Sequence, residues 1–339
     1  MTPPPARLAM HVKRALLAGA LLALVVGCTR PQAATPTPTN SPASPAVPTS
    51  TPTPAAPRAI LVAPAAGADA ALAAQAESAL QALAEAAAME FTSLQALPEE
   101  DGGTKLLVAL PPDQGLQAWA DAHPDAQTVS LGIPGLQPTS NLTLIAPDGI
   151  RYDQLGFALG YLAAMVTPEY RVGALALDAS ASSIALARGF VAGGTYYCGL
   201  CSPIHPPYVE YPAYLAGTAD LAAESISTLL VAPQPQSILD LGLPSHSEMA
   251  FMGVGEPASD LAATWIASAG FDVDAALEAA WTQIQSGQAG TAIPLGIRFH
   301  SIDTEAVSEG RLGLAEAVLA DLSAGVIDTG VDPLTGELR

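Results

Sequence analysis

Past residue 57 the chain alternates between two textures. Short apolar runs at 59–63, 105–110, 128–131, 142–146, 172–177, 250–254 and 293–299 read as buried strands, with 263–268 as a further candidate. Between them lie longer stretches whose apolar residues recur at helical spacing: 69–89, 114–122, 154–166, 182–192, 219–230, 272–285 and 307–324. Segment 206–211 is expected to be extended. Pro111-Pro112 ends one strand, Pro147-Asp148-Gly149 turns the chain after another, and Gly325 suits the C-cap of the last helix. Strands alternating with helices predict an α/β protein built on parallel sheets with helices on both faces. The segments outnumber one small sheet, so two Rossmann-like lobes are expected. Lobe 1 takes 58–149 plus 270–339, and lobe 2 takes 150–269. In such sheets ligands sit beyond the carboxyl ends of the strands.

The first 57 residues have a different character. A basic stretch, His11-Val12-Lys13-Arg14, precedes an uncharged run over 15–26, which is too short to cross a bilayer as a helix. It reads as a signal peptide over 1–27 ending in Val25-Val26-Gly27-Cys28, a lipobox-like site at which Cys28 would be lipidated. Residues 28–57 are Pro, Thr, Ser and Ala with no acid, and such a composition stays extended as a tether. The address is therefore extracytoplasmic, anchored to a bacterial cell membrane through the lipid.

Composition narrows the chemistry. Half of the residues are hydrophobic, enough for a substantial core. Against 32 Asp+Glu stand only 12 Lys+Arg, a formal −20 at pH 7, and a surface of that sign repels phosphate backbones, which argues against a nucleic-acid polymer as partner. No phosphate-binding loop and no nucleophile elbow occur, so no catalytic residue is assigned and no cofactor is expected. Gly253-Val-Gly-Glu-Pro-Ala258 lacks the third glycine of a dinucleotide fingerprint and puts Pro257 in the turn. Cys198-Gly-Leu-Cys201 reads as a local disulfide outside the cytoplasm; too few ligands accompany it for a metal site. Tyr197, Glu210 and Tyr211 flank that motif in a chain with few aromatics, and could wall a cleft or pack an irregular insertion. By fold logic Asp153, Gln154 and Asp178 stand at a lobe crossover and at a strand's carboxyl end, where they would face a ligand, cap helices, or do both.

Three segments occur in a telling order: Arg151-Tyr-Asp-Gln-Leu-Gly-Phe-Ala-Leu-Gly-Tyr-Leu-Ala-Ala-Met165, Tyr170-Arg-Val-Gly-Ala-Leu-Ala-Leu-Asp178 and Arg188-Gly-Phe-Val-Ala-Gly193. This order resembles the basic-membrane-protein (BMP/PnrA-like) family of substrate-binding lipoproteins, which have the type I periplasmic-binding-protein fold. The resemblance implies a solute-binding component of an ABC importer, with a small polar ligand, nucleosides included, held between lobes and passed to an ABC permease. It places Asp69 after the first strand and Glu256 at the end of the 250–254 strand as ligand contacts. The family's Phe-Asn after the first strand is absent here, where the chain reads Pro64-Ala-Ala-Gly-Ala-Asp69-Ala-Ala, and its strand-end Asp falls at Gly255 beside Glu256. Those departures leave open a homologue that has given up transport and acts as a sensor or surface interaction protein.

Overall fold

A central parallel strand buries both faces, and the short apolar runs of this chain suit that position. The computed structural model describes residues 56–67, 69–199, 210–215, 225–235, 237–242 and 248–339. In it β1 (Arg58–Val62), β3 (Thr104–Ala109), β4 (Gln127–Leu131) and β5 (Leu142–Ile145) pair in parallel and are almost wholly buried. Two edge strands complete this first sheet, β2 (Glu90–Leu94) beside β1 and β11 (Ala292–Ile293) beside β5. Helices α1 (Ala70–Ala86) and α5 (Val273–Gln285) share one apolar layer, and α2 (Leu116–Ala122) covers the other face.

The second sheet has the order β12-β10-β9-β8-β6-β7. Its strands are β6 (Val172–Ala176), β7 (Ala213–Leu215), β8 (Thr228–Ala232), β9 (Ala250–Val254), β10 (Trp265–Phe271) and β12 (Ile297–His300). All pair in parallel except β12, which runs antiparallel to β10. Helices α3 (Tyr152–Val166) and α4 (Ala181–Cys198) lie on one face, and α6 (Glu309–Ser323) packs Val318, Leu319 and Leu322 against Phe157 and Ala158 of α3. The α3–α4 crossing is a backbone-to-backbone contact. A Cβ on Gly156 or Gly160 would collide with the carbonyl oxygens of Leu186 and Phe190, and one on Gly189 or Gly193 with those of Asp153 and Phe157.

The chain passes between the sheets three times: from β5 to α3, from β10 to α5, and from β11 to β12 across Pro294-Leu295-Gly296. The closing segment therefore divides. Residues 273–293 return to the first sheet, whereas β12 and α6 belong with the second, so 270–339 is not one piece of lobe 1. The expected 293–299 strand is two strands for the same reason, with Pro294 and Gly296 at the break. The helix expected over 219–230 yields at Thr228–Leu230, which open β8. These residues are fully buried between β6 and β9, and that burial outweighs helix propensity. Strand β2 was not expected, because Glu90–Leu94 is a half-exposed edge with little apolar signal. The signal peptide, Cys28 and the tether up to residue 55 lie outside the described residues. No helix among the described residues is long and apolar enough to cross a membrane.

Candidate ligand-binding cleft

Parallel strands point their carboxyl ends at a common edge, and crossovers between two sheets turn those edges toward each other. A cleft of about 430 Å³ opens there, lined by Gln75 from α1, by Gly255 and Glu256 after β9, by Gly270 and Phe271 at the end of β10, and by Arg298, Phe299 and His300 of β12. Its size falls within the range of small-molecule sites. Antiparallel register sets Arg298 opposite Gly270 and His300 opposite Ser268, so the two polar side chains share one face of β12 while Ile297 and Phe299 pack toward α6. Gly270 clears the space that the His300 ring occupies, since a Cβ there would stand 3.1 Å from His300 Nε2.

The polar groups of this wall are linked. Ser301 Oγ donates to Glu256 Oε2 at 2.9 Å, and His300 Nδ1 lies 3.6 Å from Glu256 Oε1. Burial holds the His300 imidazole below its ordinary range; the Glu256 carboxylate pulls upward against this and the Arg298 guanidinium adds to it. Among the described residues Arg298 has one loose ion-pair partner, Asp272 at 3.9 Å, and its side chain is 59% exposed. Glu256 is 80% exposed despite its contacts with Ser301 and His300, so both charged groups are open to solvent at the cleft.

The residues singled out from sequence fall into three groups. Glu256 lines the cleft. Asp69 and Asp178 stand at strand carboxyl ends, each with local work. Asp69 Oδ1 caps α1 through the N–H groups of Ala71 and Leu72, and its Oδ2 accepts a 2.6 Å bond from the Tyr152 hydroxyl at the start of α3. Asp178 accepts from the Ser180 N–H and hydroxyl just ahead of α4. Slight burial raises its pKa, but the Ser180 and Ser183 hydroxyls outweigh that and hold it below the usual range.

The remaining five do not reach the cleft. Asp153 is fully buried, ion-paired with Arg151 at 2.7 Å and bonded by the Thr329 hydroxyl at 2.6 Å. Gln154 Nε2 donates to the Leu322 carbonyl, so both side chains pin the segment around and after α6 to the start of α3. Tyr197 sits near the end of α4. That helix leaves the carboxyl end of β6 and carries its last turn about 27 Å back along the sheet, away from the cleft. There Tyr197 meets Tyr161 edge-on. Tyr211 is buried beside Arg171 and precedes β7, and Glu210 is exposed next to it, both at the amino end of that strand. Cys198 is disulfide-bonded; Cys201 lies outside the described residues. Among the described residues no three His, Cys, Asp or Glu side chains converge as a metal site.

Gln75, Phe271, Arg298 and His300 were not singled out from sequence. The signal was present in Ile297-Arg-Phe-His300, where apolar and polar residues alternate and place two of the chain's few basic groups on one strand face.

Solved structures share this architecture. An ABC transporter solute-binding protein from Conexibacter woesei aligns with a TM-score of 0.58 at 18% identity, over 81% of this chain and 98% of its own. A second solute-binding protein of an ABC transporter system, from Aeropyrum pernix, aligns at 0.54 with 13% identity, over 81% and 93%. A transcriptional activator of the comK gene from Bacillus halodurans aligns at 0.53 with 15% identity, over 80% and 99%. No protein-family model and no curated protein sequence matches the chain. The two α/β sheets, with mostly parallel strands, form the type I periplasmic-binding-protein fold.

Proposed function

We propose that this chain is an extracytoplasmic solute-binding lipoprotein. Cys28 anchors it to a bacterial cell membrane, and the two lobes close on a small polar ligand and present it to an ABC permease. The observation that carries the reading is the cleft itself: largely exposed charged side chains, Glu256 and Arg298, gathered at strand carboxyl ends beside a three-segment hinge. The order of motifs across 151–193 supports membership of the BMP/PnrA-like family. No chemical transformation is required of the site. Thermal unfolding of the purified chain against nucleosides, sugars and amino acids tests it. A binder gains stability by mass action with one ligand class. A flat response to every compound would favour the sensor or surface-interaction role that the missing Phe-Asn leaves open.

A further inference from the structure

The chain crosses from the first sheet to α3 through Ala146-Pro-Asp-Gly-Ile-Arg151, and its neighbours divide this connector at one bond. Up to Ile150 it travels with the first half. The Ala146 N–H donates to the Ile293 carbonyl of β11, and the Ile150 side chain fills the space beside Gly132, where a Cβ would collide with it. From Arg151 onward it travels with the second half, through the Arg151–Asp153 ion pair at the start of α3. Rotation of one half against the other therefore pivots between Ile150 and Arg151.

Residues 328–339 straddle that pivot. The Thr329 hydroxyl donates to Asp153, and Arg188 of α4 donates to the Gly336 carbonyl at 2.8 Å and to Glu337 at 3.1 Å. Gly336 lies so close to α4 that a Cβ on it would stand 2.7 Å from Ile184 Cγ2 and 2.8 Å from the Ala185 nitrogen. The turn between these anchors is closed on itself: Asp332 accepts from the Leu334 and Thr335 N–H groups, and Arg339 pairs with Asp328. The anchors all belong to the second half. Leu334 reaches the other side of the pivot, where its Cδ2 would stand 2.9 Å from a Cβ on Gly149.

The halves stand apart at the cleft, because every described residue lining it except Gln75 comes from the second half. Closure swings the first half, Gly149 with it, against a tail fixed to α3 and α4. Leu334 is then either pressed into the connector or pulled off it. Both are uphill: a contact this close has no room to compress, and separation exposes apolar surface. We propose that residues 328–339 are a strap that holds the hinge open. A ligand must overcome the Leu334–Gly149 contact to close the halves, which lowers its apparent affinity and favours its release.

This device rests on the closure that the binding reading assigns to the two halves, but its test uses the empty protein and needs no ligand. Spin labels on ketone-bearing unnatural side chains at Ala74 and Ala179, both exposed, report the distance between α1 and the carboxyl rim of the second sheet and leave the cysteines untouched. In the native chain the long distance dominates. Leu334→Ala should raise the short-distance population at least about threefold. Leu334→Met, which keeps an apolar chain on Gly149, should restore the native pattern. Leu338→Ala, at a side chain 69% exposed on the same turn, should leave it unchanged. Melting temperatures should hold in all three, since Leu334 is itself 53% exposed. A native distance distribution in Leu334→Ala, or the same shift in Leu338→Ala, would overturn the strap. The thermal panel decides binding separately: a flat panel beside a shifted Leu334→Ala distribution would remove the binding reading and leave the strap standing.

Discussion

Tyr152 shows how one side chain ties the architecture together. Its hydroxyl reaches Asp69 across from the first sheet's unit, and its ring meets Phe271 edge-on with centroids 5.2 Å apart. Tyr152→Phe should cost about 1.5–3 kcal/mol, the range for a hydrogen bond to a charged group, read from urea denaturation. Burial, reinforced by Asp69, pushes the phenol well above its ordinary value of 10.0. The unfolded chain releases this proton near pH 10 while the folded chain keeps it. The associated stability is therefore complete below that pH and drains away above it, a loss the Phe variant should lack. Two other residues predict the opposite sign. The Thr128 and Ser130 hydroxyls lie in the apolar layer under α2 without hydrogen-bond partners among the described residues, so Thr128→Val should be neutral or stabilising by up to about 1 kcal/mol. At this scale the sequence was least informative. Asp153 and Glu256 are both acids at expected site positions, yet one is spent on Arg151 and Thr329 and the other is open to the cleft. That difference depends on where residues far along the chain return.

At the scale of elements, glycines divide by what surrounds them. Gly160→Ala and Gly193→Ala force α3 and α4 apart at a carbonyl contact, and each should cost about 3 kcal/mol, the upper range for overpacking. Gly313→Ala, in α6 with nothing within 4 Å, should instead stabilise by about 0.5–1 kcal/mol through helix propensity. Denaturation midpoints of the three variants check both signs together. Elements with a strong pattern were legible: the strands at 172–176 and 250–254 and the helices at 70–86 and 273–285 lie where apolar spacing puts them. Edge strands and short pieces were not, because β2, β7 and β11 owe their pairing to a neighbour's unfilled backbone more than to their own side chains.

At the scale of the whole molecule, one apolar cluster runs from α1 and β1 through Leu155 and Leu159 of α3 to Met252 and Ala267 of the second sheet. The two halves share that cluster and three connecting segments, so calorimetry should show a single unfolding transition. The cleft adds a pH dependence of its own. His300 takes up a proton less readily folded than unfolded, so stability falls as pH drops below the ordinary value of 6.5. His300→Gln should flatten that slope, which partial exposure keeps to a fraction of a kcal/mol. The fold class was legible at this scale because alternation survives every local error, whereas the partition of the last seventy residues between sheets was hidden in a three-residue bend.

That bend has a consequence for the nascent chain. Strands β1 to β5 emerge early, but β11, which covers the free flank of β5, is not translated until residues 292–293. Through most of synthesis the first half carries an open hydrogen-bonding border, the kind that invites pairing with other chains. Escorting the polypeptide until its final fifth has appeared would protect that border.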